Sequence, residues 1–530
     1  MNLLSKLYPR ATEARLMKAN SEALKFRNKF FKASGRNFLL LQLLFLSLFA
    51  WNMGSLYQLE THAHNINIAF ADYDRGAIGQ AVRGAYSRLQ GRRFPSLVEQ
   101  QTVDFRSSND LREAVCRTQF WAALYVSEGA STRLHDSLTG ASTSQYDPSN
   151  VLTYIWNEAN YPTAMDSVIA SSLQTLSSAA RVAYTIVNGT GQLQDLNLTS
   201  TSFTVLANPW TLTSINIEPT TQGTRLIYNT VVIILIMIQD FFYLGTINGL
   251  YVAFKIYPRM HPLRIIVFRL VNSLLYTLVG SLCTAGMVWA FRSGWAVSGG
   301  QFGLTWLALW LFSHITFQAL DVFTIWLPLP YVPMALISWV ILNVTSILLP
   351  FQLSPGWYKV GYLFPAHAVY QTLTDIWSRG CNPRLDYALP VMFAWWIVTF
   401  AGAVVGVYKR CHYATLAVEA EAKALRERAE AALEFERARE REREGDGRIE
   451  LGGEESRSQG GEGTSRPKTP AADASVTEKG DSQDNLEEQL EQVMNRTDAK
   501  IRKEQSRASG VKDCQPAFHL AFGGGGDSDE

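Results

Sequence analysis

The sequence predicts an α-helical polytopic membrane protein of six transmembrane helices, with a mixed α/β external domain between the first and second. Three observations predict it. Six apolar stretches reach bilayer length, basic residues crowd ahead of the first, and strand-like alternation begins directly after it. The formal net charge of +1 over 530 residues hides this segregation, because the apolar stretches are almost uncharged and the remainder is polar.

A span needs about 20 mostly apolar residues. The expected spans are 38–59, about 226–252, 265–291, 302–327, 332–349 and 389–408. The first starts far from the N-terminus and lacks a small-residue cleavage site, so it reads as a signal anchor. Ahead of it stand Lys6, Arg10, Arg15, Lys18, Lys25, Arg27, Lys29, Lys32 and Arg36, against Glu13 and Glu22. Basic flanks stay on the cytosolic side. Lys255, Arg259 and Arg264 between spans two and three, and Lys409 and Arg410 after span six, fit the same orientation. Both termini are therefore expected in the cytosol. The resulting layout is a basic amphipathic N-terminus (1–37), the anchor (38–59), the external domain (60–225), a five-helix membrane domain (226–408) with an external element (351–388), and a charged tail (409–530).

Within the external domain, Ile66, Ile68 and Phe70 alternate with Asn65, Asn67 and Ala69, a strand pattern. A helix follows over "GAIGQAVRGAYSRL", then an expected strand at Val103–Phe105, a helix capped by Ser108 or Asn109, and a strand "WAALYV". Residues 151–187 read as a helical arm beside an α/β unit of about 75 residues. The element "SPGWYKVGYLFPAHAVYQTLTDIWSRGCN" is half apolar and broken by Pro and Gly, so it reads as re-entrant or interfacial. After span six, an Ala/Glu/Arg stretch with pairs such as Glu419–Lys423 and Arg426–Glu430 predicts a solvated single helix, with disorder beyond about 445. A weak helix at 484–504 and a proline-directed site at Thr469 are further expectations for the tail.

No P-loop, H-E-x-x-H, paired C-x-x-C or G-x-S-x-G occurs, so no enzymatic activity, cofactor or metal is expected. Asp72-Tyr73-Asp74 forms a D-x-D. A metal-dependent transferase needs further ligands and a phosphate loop, whereas acids between a strand and Gly76 serve turns and helix starts, the preferred reading. Sequons at Asn188 and Asn197 place glycosylation sites in the external domain. Cys116 and Cys381 are either one disulfide or two separate thiols; spacing does not decide. Asp240, Arg269, His314 and Asp321 lie inside expected spans, where polar groups are costly and face partners or cavities. By depth, Arg269 matches Asp321 and Asp240 matches His314. They read either as packing contacts between helices or as a polar pathway. Gly245-x-x-x-Gly249 and Gly402-x-x-x-Gly406 permit close helix approach.

The order of parts resembles the fungal nitrosoguanidine-resistance family, which shares its plan with ABC-2-type permeases and the bacterial phage-infection-protein group. The residues that carry the resemblance are "KFRNKFF" with "LLQLLFLSLFAWNMGSLY", "NINIAFADYD" with "IGQAV", "DLREAVCRTQFWAALYVSEGAS" and "VGYLFPAHAVYQTLTDIW". It covers about residues 25–410, and the charged tail lies outside it. The resemblance implies a plasma-membrane protein associated with resistance to toxic small molecules through export or altered membrane properties. A permease of this plan implies a homodimer, and a separate ATPase subunit or a proton gradient as its energy source. A non-transporting adaptor acting through its external domain and tail is the alternative. The lipid bilayer is the expected surrounding, and no nucleic-acid partner is expected.

Overall fold

A computed structural model describes residues 21–141, 145–192, 200–220, 227–292, 295 and 297–455. Residues 11–20 of the amphipathic segment, Asn197, Thr469 and the 484–504 helix therefore lie outside the described residues. The chain falls into two compact units, one of Met1–Leu244, Asn272–Phe323 and Tyr331–Phe400, the other of Gly245–Val271, Thr324–Pro330 and Ala401–Glu530. Among the described residues, five helices are long and apolar enough to cross a membrane.

The first unit opens with α1 (Ser21–Ser55), which continues the anchor backwards through its basic flank. Tyr358 donates its hydroxyl to the Trp51 carbonyl at 2.6 Å, in the last turns of that helix. A five-stranded sheet follows, in the order β2-β1-β3-β4-β5. β1 (Asn67–Asp72) leads into α2 (Ala77–Leu89), β2 (Ser96–Gln100), α3 (Ser108–Cys116), β3 (Ala122–Val126) and α4 (Ala130–Thr139). β1 pairs in parallel with both β2 and β3. From Ile68 to Asp72 its residues are buried on both faces, because helices cover both sides as the crossovers require. Ala69 and Ala71 share a core with Leu111, Val115, Ala123 and Ile155.

Three expectations change here. The strand placed at Val103–Phe105 lies instead at Ser96–Gln100, where Asn67 pairs with Ser96, while Val103 stays 68% exposed. Leu152–Trp156, read as the start of a helical arm, is β4, antiparallel to β3 and buried throughout. Its Thr, Tyr, Ile and Trp residues suit a strand, and only partners distant in sequence select it. α3 is capped by Ser107, not Ser108 or Asn109. The Ser107 hydroxyl accepts from the Asp110 N–H at 3.4 Å, and the Asp110 carboxylate accepts from the Ser107 N–H at 2.9 Å.

The helical arm is α5 (Ser171–Gln192), followed by α6 (Ser200–Ala207). The last strand is β5 (Leu212–Asn216), parallel to β4, so the sheet extends well past the expected unit. The membrane-length helices are α7 (Val231–Ala253), α8 (Pro262–Ala290) and α9 (Gly299–Trp326). The expected fifth span is α10 (Val332–Leu348), an apolar helix of 17 residues and shorter than the rest. A 3₁₀ turn at Gly356–Leu363 and α11 (Pro365–Trp377) occupy the segment expected to be an external element, with Pro365 at the helix start, where a missing N–H is harmless. α12 (Leu385–Glu455) runs 71 residues, past the expected boundary near 445. Its outer part carries an exposed Lys423–Glu427 pair at 3.9 Å, four residues apart on one helix face.

In the second unit, Tyr251, Ile265, Val407 and Cys411 form a small apolar core. A Cβ at Gly406 would collide with Ile325, so the second glycine of the 402–406 pair is a contact point, whereas Gly245 and Gly249 face open space.

Candidate functional site

Among the described residues α9 carries the most buried polar side chains of the membrane-length helices, and they divide by helical spacing. Ser313 and Asp240 meet between α9 and α7: the Ser313 hydroxyl lies 3.0 and 3.1 Å from the two Asp240 carboxylate oxygens. Asp240 is 1% exposed, so this contact is made wholly inside protein. His314, the next residue, turns about 100° away and looks along its own helix. Gln318 is four residues on and therefore on the same face. Its Nε2 donates to His314 Nε2 at 3.0 Å, so that ring nitrogen accepts and Nδ1 carries the proton. Gln318 Oε1 accepts from the Thr399 hydroxyl of α12 at 3.0 Å. His314 Nδ1 finds no partner among the described residues, although the ring is 2% exposed. A buried N–H left unmade costs about 1–3 kcal/mol.

Asp240 and His314, expected at matched depth, thus take different partners on the same helix, Ser313 for Asp240 and Gln318 for His314. Asp321 is buried on α9 in the first unit. Arg269 belongs to the second unit, where its guanidinium donates to Asn248 Oδ1 at 3.1 Å and the Tyr257 hydroxyl at 2.9 Å, over the Tyr251 ring at 4.9 Å. Arg410 reaches the same Tyr257 hydroxyl at 3.3 Å and Thr324 Oγ1 at 2.5 Å. Ser313, Gln318 and Thr399 escaped a search for charges. Scanning the apolar helices for uncharged polar residues finds them.

The D-x-D carboxylates are committed within the fold. Asp72 accepts the Arg75 N–H at 2.9 Å and pairs with Arg83 at 3.0 Å. Asp74 accepts the Ser131 N–H at 3.0 Å and its hydroxyl, tying β1 to the start of α4. Among the described residues no cluster of acids, histidines and cysteines could hold a metal ion.

A second polar cluster joins the sheet to α11. Cys116, at the end of α3, is disulfide-bonded to Cys381, just past α11. Beside it, Asn157 Nδ2 donates to the Cys381 carbonyl at 2.9 Å, and Asn382 Nδ2 donates to Gln371 Oε1 at 2.7 Å. Gln371 Nε2 in turn donates to the Tyr161 hydroxyl at 3.2 Å. Tyr161 holds φ 131°, outside the regions open to L residues, and its ring stacks on Tyr370 at 4.9 Å. Such strain persists only where surrounding contacts over-determine it. A cavity between these groups, with room for about one water, is lined also by His367 and Arg384. Of the sequons, Asn188 lies in α5.

No solved structure matches the chain. A family model described as a protein of unknown function, DUF3533, matches residues 37–401, more than two-thirds of the sequence, and the chain belongs to that family.

Proposed function

We propose that this chain is a six-span plasma-membrane protein of the nitrosoguanidine-resistance type, with both termini cytosolic, whose permease-like helices contribute to resistance to, or export of, toxic compounds. The observation that carries the reading is the buried polar line on α9. The unmet His314 N–H stands one residue from the Asp240–Ser313 contact. Polar groups kept inside apolar helices at this cost commonly line a path or bind a solute. In this reading α10 is the fifth of the six spans and completes the count. Its 17 residues reach about 26 Å, a few ångströms short of the hydrocarbon core, a mismatch that bilayer thinning absorbs. Asn188 and Asn197 would then face the side that carries glycans.

The test is export of a nitrosoguanidine from cells carrying full-length variants at normal surface level. Asp240→Asn and His314→Leu are expected to cut export at least about tenfold, the equivalent of one strong buried contact. Unchanged export in both overturns the permease reading. A second reading, a membrane adaptor, is favoured by one observation, the continuation of α12 as a charged helix to Glu455. Resistance lost on deleting 411–530, with Asp240→Asn silent, would select it.

A further inference from the structure

An open cavity of about 890 Å³ lies between α9, α11 and the start of α12. That is the size of a small-molecule site rather than a packing defect. Its wall is made by Leu304, Leu307, Ala308 and Leu311 of α9, at the spacing of one helix face, opposite Leu389 and Met392 of α12. Ala308 is the smallest of the α9 wall residues and forms the hollow. Leu304 and Leu307 remain about half exposed, at 56% and 49%.

The cavity is not apolar throughout. Its rim carries Ser298 and Gln301 at the start of α9, and Asp375 and Arg379 from α11 and the turn after it. Gln301 Nε2 donates to the Ile376 carbonyl at 2.9 Å and fixes the two helix ends together. Arg379 and Gly380 both hold positive φ, 57° and 89°, so a tight turn sets the guanidinium at the rim rather than letting α11 carry it away. Asp375 Oδ1 accepts the Asn382 N–H at 3.2 Å, which anchors the carboxylate from the other side. The rim therefore offers an anchored carboxylate and, about one helical turn on in sequence, an exposed guanidinium.

We propose that this groove binds a zwitterionic glycerophospholipid, its phosphate on Arg379, its ammonium on Asp375, and one acyl chain along the α9 wall. Two lines lead there. A guanidinium matches a phosphate and a carboxylate matches an ammonium, so a head group bearing both is complementary to the rim. From Gln301 to Leu311 the helix rises about 15 Å, half of a hydrocarbon core of about 30 Å, which is the acyl depth of a single leaflet. The bound lipid belongs to the leaflet beside α11 and the sheet. This lipid site stands apart from the α9–α7 contact that carries the permease reading.

The experiment uses purified full-length protein in nanodiscs containing phosphatidylcholine, with a trace of either phosphatidylcholine or phosphatidylglycerol bearing a photoreactive acyl chain. Labelled positions are mapped by mass spectrometry. Peptides spanning 299–311 are expected to label with phosphatidylcholine roughly tenfold over phosphatidylglycerol, the discrimination one charge-assisted contact supplies. Ala308→Trp, which fills the hollow, is expected to lower that labelling to the level of the exposed face of α8. Arg379→Asn, tolerant of positive φ, and Asp375→Asn, which keeps the acceptor for Asn382, are expected to erase the head-group preference with the protein folded. They carry the test should the tryptophan variant not fold. Equal labelling by both lipids, labelling that survives Ala308→Trp, or cross-links between copies at 304–311 in place of lipid labelling overturns the proposal. None of these readouts depends on export.

Discussion

Acidification from pH 7.5 to pH 4 is expected to destabilise this protein through one imidazole, His367. The ring is 1% exposed, and its Nδ1 donates to the Ser346 carbonyl at 2.9 Å. Phe351 at 4.9 Å and Tyr362 at 5.1 Å enclose it. Burial, reinforced by the Arg384 charge, holds it down to about 4. In the unfolded chain an imidazole takes up its proton near 6.5, so between these values the unfolded state binds more protons than the folded one. The contribution is complete above pH 6.5, falls as pH drops through the window, and is lost at about pH 4. At roughly 1.4 kcal/mol per pH unit it amounts to about 3 kcal/mol. His367→Phe keeps the ring volume and removes the titration, at the expense of one hydrogen bond worth about 1 kcal/mol. The assay is thermal unfolding of detergent-solubilised full-length protein, followed by tryptophan fluorescence from pH 7.5 to 4. Wild type should be the more stable at pH 7.5 and the less stable at pH 4. Parallel pH profiles for the two proteins would refute the reasoning, because they would mean that the imidazole charges in place without penalty.

Three further outcomes are expected. Gly79→Ala puts a Cβ into the Asp72 carboxylate and displaces it from Arg83, a loss of about 1–3 kcal/mol read as faster limited proteolysis of the sheet; unchanged proteolysis shows that α2 moves away freely. The pair Cys116→Ser and Cys381→Ser opens a crosslink between residues 265 apart, worth up to about 5 kcal/mol in the chain-entropy picture. Reductant should then lower the unfolding midpoint of wild type and leave the variant unchanged. Tyr161→Phe keeps the stack on Tyr370 and loses the Gln371 hydrogen bond, a decrease of about 1 kcal/mol in unfolding free energy; a neutral result would mean that the bond is replaced by water.

Legibility followed the range of the forces involved. α2 and β3 stand where their patterns place them, since capping, periodicity and neighbouring residues act within one element. β4 did not read correctly, because Leu152–Trp156 becomes a strand only when β3 and β5, one before it and one far after it, supply its hydrogen bonds. The D-x-D was legible as turn chemistry, but its partners Arg83 and Ser131 were not, since the crossovers bring them in. Charges inside apolar stretches were conspicuous and led to Asp240 and His314. Their uncharged partners Ser313, Gln318 and Thr399 were not, because a hydroxyl or amide in an apolar helix is unremarkable until a second helix faces it.

By itself the sequence determined that long uncharged segments become membrane-length helices and that a sheet domain follows the anchor. Those outcomes rest on apolar surface and on backbone hydrogen bonds made within a segment, which local composition dictates. Only the tertiary structure decided that Cys116 meets Cys381, that Asp240 meets Ser313, and that Asp375 and Arg379 share the rim of one groove. Those meetings join residues tens to hundreds of positions apart, or set them at a rim by a single turn, and no local propensity encodes where packed helices place such side chains.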